Sequence, residues 1–567
     1  MTMDKKKYDE VLAAFSISDD ELQKISAAFE AEMQTGLAGE DSTLRMLRSY
    51  VALPTGKEIG DFLALDFGGT NVRALHILLH GGGRYQVIKK VAKPLTEPGI
   101  YDYVAESATA EEMFDFLAEL IDEAIESNRS TTYLLGHTFS FPSVQTNLYN
   151  AKLITWTKEF ATQGVEGKVV NDLLKEALAR RGARNVIPVA VINDTVATLL
   201  AAAYKKPNAY IGSIYATGQN TCYFEEFKEG SEPPTVINME SGGFGKLRPT
   251  KYDRHIDETS EKPGAQHMEK MVSGRYLGEI YGEALADILG KNDPFSFTSI
   301  DLSTIVADAY LDRHEAAAIL EEKTGETFNA LELHLLQTLA AVIIARSARL
   351  VAATFAGIVR HRAHGAEIKE QHIAIDGSVY EKMPLVAENL KKALPDLLGD
   401  EAEKIHIVLE NTGSALGAAL AAAGEVGLVG VGPARVDLGA VGRQVLPVLD
   451  EAVGAEVADG GQEEGQAGRR RRGVDGDEEV LVLGLGQVLE GGRRGLAVLG
   501  EPGGVDVDAD LPEVDGGQGR GVVDDVLVGA LGQVDGGGGV DDLLGQDAGG
   551  EGVVDAEDGV AERGVLG

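Results

Sequence analysis

The segment Asp66-Phe67-Gly68-Gly69-Thr70-Asn71 combines three things a phosphate-binding turn uses. Its glycines let backbone N–H groups approach phosphate oxygens, its threonine adds a hydroxyl, and Asp66 could hold a divalent cation through water. An ordinary tight hairpin uses the same residue types, so a second signal matters. Ala216-Thr217-Gly218-Gln219-Asn220 supplies it, because two such turns facing each other could grip phosphate groups from two sides. Arg73 falls on the same strand face as Asn71 and can neutralise phosphate, although a surface arginine is the ordinary expectation. Asp194 sits between the apolar run Val186 to Ile192 and a helical pattern from Thr195 to Lys205. That is the mouth of a strand–helix junction, where a general base belongs. The competing role for Asp194 is helix N-cap. Histidine clusters with metal-ligand spacing are absent, and His137 and His267 read as structural.

These residues need rigid elements behind them. FLALDFGGTNVRALHILLH reads as two apolar strands around a glycine turn, and AYIGSIYATGQNTCYFEEF repeats the theme. Neither GxGxxG nor GxxxxGK[ST] occurs at a suitable place, which argues against a Rossmann start or a Walker loop. YDEVLAAF and ELQKISAAFEAEM predict one or two amphipathic lead-in helices that serve packing. Helices dominate from about Ala265 to Val359. EQHIAIDGSVYEKMPLVAENLKKAL and KIHIVLENTGSALGAALAAA then each read as strand, polar turn, helix. The whole is α/β with two lobes.

At 567 residues with 44% apolar content, the chain can bury more than one core. A formal net charge of −38 argues against nucleic acid, which needs a basic face. Cys222 is the single cysteine, which excludes an internal disulfide framework and suits a reducing compartment. The start, MTMDKKKYDE, lacks the apolar stretch of a secretory signal, and no uninterrupted run approaches the roughly 20 apolar residues of a membrane span. A cytoplasmic, soluble protein with no membrane partner is expected.

After Ser414 the composition changes abruptly: only Gly, Val, Asp, Glu, Ala, Leu, Arg, Gln and Pro occur. Residues 427–567 hold 29 acidic and 10 basic side chains and 37 of the 70 glycines. With no aromatic residue to fill a core and a heavy glycine entropy cost, this tail is expected to be disordered. All nine residue types can be encoded with G or C in the first codon position, the pattern of a GC-rich gene read in a shifted or opposite frame. A frame artefact is therefore expected, with a genuine acidic Gly-rich solubility or partner-binding tail as the alternative.

With these pieces in order, the chain resembles the hexokinase family across roughly residues 8–423. LALDFGGTNVR is similar to the family's first phosphate motif, FSFP followed by ITWTKEF to its sugar motif, and VINDTVAT to its catalytic motif. ATGQNTCYFEE resembles the second phosphate motif, INMESGGFG and PGAQHMEKMVSGRYLGE the remaining sugar motifs, and IDGSVYEK and NTGSALGAA the adenosine region. Their shared order and spacing make the resemblance specific.

The resemblance implies an actin-like, two-lobed ATPase fold (ribonuclease H-like) with mixed sheets flanked by helices. It divides into a lead-in at 1–62, a small lobe at 63–195, a large lobe at 196–424 and the tail at 425–567. It implies a hexokinase that moves the ATP γ-phosphate to a hexose 6-hydroxyl, with Mg2+, as a monomer or weak homodimer. Ser140, Phe141, Pro142, Thr157, Lys158, Asn193, Asp194, Asn220, Glu240 and Glu269 would line the hexose pocket. Asp66, Gly68, Gly69, Thr70, Asn71, Arg73, Thr217, Gly218, Asp376, Gly377, Ser378, Gly413 and Ser414 would hold the nucleotide, Asp66 reaching Mg2+ through water. Asp194 would act as base, with Lys158 catalytic beside it. Three positions depart from the family: Ala216 for glycine, Glu159 for glycine, and Ser241 for a bulkier aromatic. The competing classes are a non-catalytic sugar sensor on the same fold and an actin-like or chaperone-type ATPase. The latter would have no use for FSFP, WTK and paired Glu240 and Glu269.

Overall fold

The computed structural model describes residues 3–157, 160–227 and 232–425. The tail, and with it every expectation placed on it, lies outside the described residues, as do Lys158 and Glu159.

The chain enters through helices α1 (Lys5–Phe15) and α2 (Asp19–Leu37) and a short strand β1 (Leu47–Arg48). The Asp4 carboxylate caps α1, and Ser18 caps α2 ahead of three acidic first-turn residues that suit the helix dipole. Tyr8, Val11 and Phe15, then Leu22, Ile25, Phe29 and Met33, repeat at helical spacing and are buried. The lead-in helices pack against a later helix rather than standing apart, and β1 joins the second sheet.

Strands β2 (Ile59–Phe67), β3 (Asn71–Gly81), β4 (Arg84–Pro94), β5 (Tyr133–Phe139) and β6 (Val186–Ile192) form a five-stranded sheet in the order β6-β5-β2-β3-β4. β2 and β3 make the expected antiparallel hairpin, while β5 runs parallel to β2 and β6 parallel to β5. β2 is apolar at nearly every position because both its faces are covered. Leu63, Leu65 and Phe67 pack with helices α3 (Ala110–Ala124) and α4 (Val170–Arg180), whereas Phe62 and Ala64 share a core with helix α5 (Asp194–Lys205).

The second sheet has six strands in the order β1-β9-β8-β7-β10-β11. These are β7 (Ala209–Tyr215), β8 (Gln219–Glu225), β9 (Thr235–Asn238), β10 (Gln371–Asp376) and β11 (Ile405–Leu409), with β7 and β8 an antiparallel hairpin. Its helices include α6 (Lys251–Thr259), α7 (His267–Val272) and α8 (Ala330–Ala363). By length and composition α8 could cross a membrane, yet 83% of its most apolar stretch is buried in the protein's own core. Arg346 on α8 makes a bidentate pair with Asp253 on α6, at 2.8 and 2.7 Å, deep inside.

After α9 (Ser378–Lys382), the last described helix, α10 (Gly413–Glu425), crosses back onto β5, β2 and α5. Glycines make that contact possible. A Cβ on Gly136 would lie 2.0 Å from the Ala418 carbonyl oxygen, and one on Gly417 would lie 2.1 Å from that of Ala197. α10 packs on the first sheet and on α5, and α5 in turn packs on β7, β8, β9 and β10 of the second sheet. Ala209, Cys222, Val236 and Ala374 of the second sheet join the same core. α5 therefore lies between the two sheets, with its N-terminus at their junction.

Candidate functional site

At the first turn, strand register sets Asp66 opposite Arg73 and beside Thr138. The Asp66 carboxylate accepts from the Thr138 hydroxyl at 3.1 Å and pairs with the Arg73 guanidinium at 2.7 Å. The Gly68 N–H donates to the Asn71 carbonyl at 3.1 Å, closing the turn. Gly69, Thr70, Asn71 and Arg73 face solvent, so the turn is rigid at its base and open at its tip.

At the start of α5 the N-cap is Asn193, whose side chain accepts the Thr195 N–H at 2.9 Å. The capping role weighed for Asp194 thus falls to its neighbour. Asp194 occupies the first helical position, where the helix dipole favours a negative charge. Its N–H donates to the Ser140 hydroxyl at 3.1 Å, tying α5 to the loop after β5. Its carboxylate, half-buried, accepts the Thr195 N–H at 2.8 Å.

The second turn is braced from behind. Gly274 and Arg275 donate their N–H groups to the carbonyls of Ala216 and Thr217 at 2.8 and 3.2 Å. The Glu269 carboxylate accepts the Gln219 N–H at 3.0 Å. It also sits 2.8 Å from where a Cβ on Gly218 would be. Next along, the Asn220 amide oxygen accepts the Ser241 N–H at 3.2 Å, and its NH2 donates to Asn238 at 2.8 Å. Asn238 in turn donates to the Glu240 carboxylate at 2.8 Å. Glu240 adopts a left-handed backbone with φ of 53°. Three residues far apart in sequence, Asn220, Glu240 and Glu269, are thereby linked through one hydrogen-bond network. Burial pushes the Glu240 carboxyl above its usual range, Asn238 opposes this, and the charges of Asp194 and Glu269 add to the push.

The last strand of the constellation is β10. Asp376 lies in register with Ile214, and Gly377 follows with φ of 130°. A Cβ on Gly377 would lie 2.3 Å from the Tyr215 carbonyl oxygen, so only glycine lets this turn approach the Ala216–Asn220 turn. Burial, then the charges of Asp194, Glu410 and Asp66, push the Asp376 carboxyl up to about 6. Carboxylates from the end of β2, the start of α5 and the end of β10 thus act on one another. Among the described residues no group of three or more His, Cys, Asp or Glu side chains could hold a metal ion directly. A cation attracted here would be held through water and ligand oxygens, which suits a magnesium ion carried in by phosphates. Gly413 packs on α5, 2.8 Å separating its would-be Cβ from the Thr198 Cα, and Ser414 beside it is half-buried. Ser378, at the start of α9, is exposed.

In the loop after β5, Phe141 is 7% exposed and packs against Trp156 and Phe160 with ring centroids 4.8 and 4.9 Å away. It supports the loop from within. Pro142 is exposed and accepts the Ile154 N–H at 2.9 Å, and the Thr157 carbonyl accepts from Phe160 at 3.3 Å. Thr157 is half-buried beside the undescribed Lys158. Residue patterns alone did not single out Asn238, Gln219 or Glu410. An asparagine closing the otherwise apolar strand TVIN was the only local hint for the first.

Comparison with known proteins identifies the family. Two hexokinase family models match the chain, over residues 7–204 and 210–424. Hexokinase-1 of Schizosaccharomyces pombe is 33% identical over 445 residues, covering 73% of this chain and 90% of that protein. Hexokinase-2 of Candida albicans is 35% identical over 447 residues, covering 72% and 90%. The solved structure of the Schistosoma mansoni hexokinase complexed with glucose superposes with a TM-score of 0.64 at 31% identity, covering 74% of this chain and all of that one. The chain belongs to the hexokinase family.

Proposed function

We propose that this protein transfers the γ-phosphoryl group of ATP to the 6-hydroxyl of a hexose, with Asp194 as the proton acceptor. Sugar phosphorylation follows from membership of the family. The observation that carries the rest is the position of Asp194, at the start of a helix between the two sheets, sharing its electrostatic field with Asp66, Asp376 and Glu240. On this reading Asn220, Glu240, Glu269, Asn193, Ser140, Thr157 and Lys158 hold the sugar hydroxyls. Amides and carboxylates in pairs satisfy groups that both donate and accept.

Asp194 takes the 6-hydroxyl proton as O6 bonds to the γ-phosphorus and the bond to the β-phosphate oxygen breaks, releasing ADP. An aspartate is a weak base, but in a loose transition state the proton leaves late, when the attacking oxygen has become acidic. Thr217, Arg73 and Lys158 spread charge on the transferred group, and the glycine turns position it. Magnesium bound with ATP would neutralise phosphate charge, with Asp66 its water-mediated holder. That role offsets the carboxylate excess around Asp376. Because water could also attack ATP, closure of the site should await the sugar. A non-catalytic sensor would have no need of Asp194, Asp66 and Thr217 together. The protein is further proposed to work in the cytoplasm, supported by its having a single cysteine, buried and unable to form an internal disulfide.

A coupled assay of ADP release with and without glucose, mannose or fructose tests the proposal. Sugar-dependent release supports it. Sugar-independent release points to the plain ATPase, and none at all to the sensor.

A further inference from the structure

Beneath the residues assigned to the sugar runs a buried polar chain that the reaction itself does not use. Gln219 is 3% exposed, and Ser213, Thr221 and Ser241 are fully buried. The Gln219 amide NH2 donates to the Thr221 hydroxyl at 3.0 Å, and its amide oxygen accepts from the Ser241 hydroxyl at 3.1 Å. Thr221 and Ser213 are cross-strand partners with hydroxyls 3.1 Å apart, and Ser213 donates to the Asn220 carbonyl at 2.9 Å. Each hydroxyl can donate once along this line, so the chain has one consistent direction.

Its attachments decide what it does. The Gln219 backbone N–H holds the Glu269 carboxylate, and a Cβ on Gly242 would come within 2.9 Å of the Gln219 carbonyl oxygen. Ser241, gripped by the Gln219 side chain, follows Glu240 directly and gives its own N–H to the Asn220 amide oxygen. The Gln219 side chain therefore joins the segments carrying Asn220 and Glu240, while its backbone N–H holds Glu269, and the backbone strain at Glu240 needs such a hold to persist.

We propose that Gln219 is a positioning residue for hexose recognition, its buried amide clamping Ser241 and Thr221 so that Asn220 and Glu240 keep the spacing a hexose ring requires, beside the Glu269 that the Gln219 backbone holds. The inference rests on the sugar-site reading above. It separates Gln219 from the nucleotide side, because its side-chain partners all lie on the β8 and Glu240 segments.

The test is Gln219→Met, which keeps volume but removes both side-chain hydrogen bonds, in the full-length protein. The hexose KM is expected to rise about tenfold, the effect of losing one to two buried hydrogen bonds, with the ATP KM within about twofold of wild type. Adding Ser241→Ala removes the orphaned hydroxyl and should restore melting temperature without restoring hexose affinity, a split that a merely structural role would not produce. A hexose KM unchanged in Gln219→Met, or an ATP KM rising in step with it, overturns the inference. If wild-type protein shows no hexose turnover, the functional reading fails instead. The inference is then decided by hexose binding read from the fluorescence of Trp156, the only tryptophan, with unchanged affinity in Gln219→Met counting against it.

Discussion

Replacing Asp376 with asparagine should make the ligand-free protein more stable at neutral pH, opposite to the usual result of altering a half-buried polar residue. The carboxyl is pushed from 3.8 to about 6 by burial and by the charges of Asp194, Glu410 and Asp66. The folded state therefore holds this proton more tightly than the unfolded chain does. Stability from the protonated form is complete below pH 4 and is lost as pH rises to about 6. The full difference corresponds to about 3 kcal/mol, and partial exposure to water reduces it to about 1–2 kcal/mol. Asparagine keeps an acceptor for the Gly377 N–H and cannot ionise. Thermal melts of both proteins from pH 4 to 8 would show the variant melting higher at pH 8 and the gap closing toward pH 4. A variant that melts lower at pH 8, or a gap independent of pH, would refute the claim that these carboxylates crowd one site.

Gly136→Ala places a Cβ 2.0 Å from the Ala418 carbonyl oxygen, so α10 must move. Destabilisation of about 3 kcal/mol is expected, seen as a lower melting temperature and faster proteolysis of α10. Arg346→Ala strands the buried Asp253 carboxylate, which burial pushes up and Arg346 holds below its usual range. The expected loss is about 3–5 kcal/mol, measured by urea unfolding, and an unchanged midpoint would contradict it. Burial pushes the His137 imidazole down to about 4. An NMR titration should find it neutral from pH 5 to 8. As pH falls from about 6.5 toward 4 the unfolded chain takes a proton the folded site refuses, so stability declines over that interval.

Local chemistry was legible in the sequence where a few neighbouring residues decide it. The two hairpins announce themselves by glycine between apolar runs, and the helix after Asp194 by alanine-rich periodicity and a polar start. Whether Asn193 or Asp194 caps that helix was not legible, because both side chains can cap and only the backbone geometry chooses. Long-range packing was hidden for a different reason. The return of α10 to the first sheet depends on Gly136 and Gly417 meeting backbone hundreds of residues away. The docking of α1 and α2 on α8 likewise follows from which apolar stripes match in space. Gln219 looked like one more turn residue, since its partner Ser241 lies 22 residues on and the contact is invisible locally.

The account stands on Asp194 as proton acceptor. Asp194→Ala, assayed for hexose-dependent ADP release while hexose binding is followed through Trp156 fluorescence, tests that most directly. Turnover should fall by at least about 100-fold with hexose binding largely retained. Turnover near the wild-type rate in a folded, sugar-binding variant would contradict it.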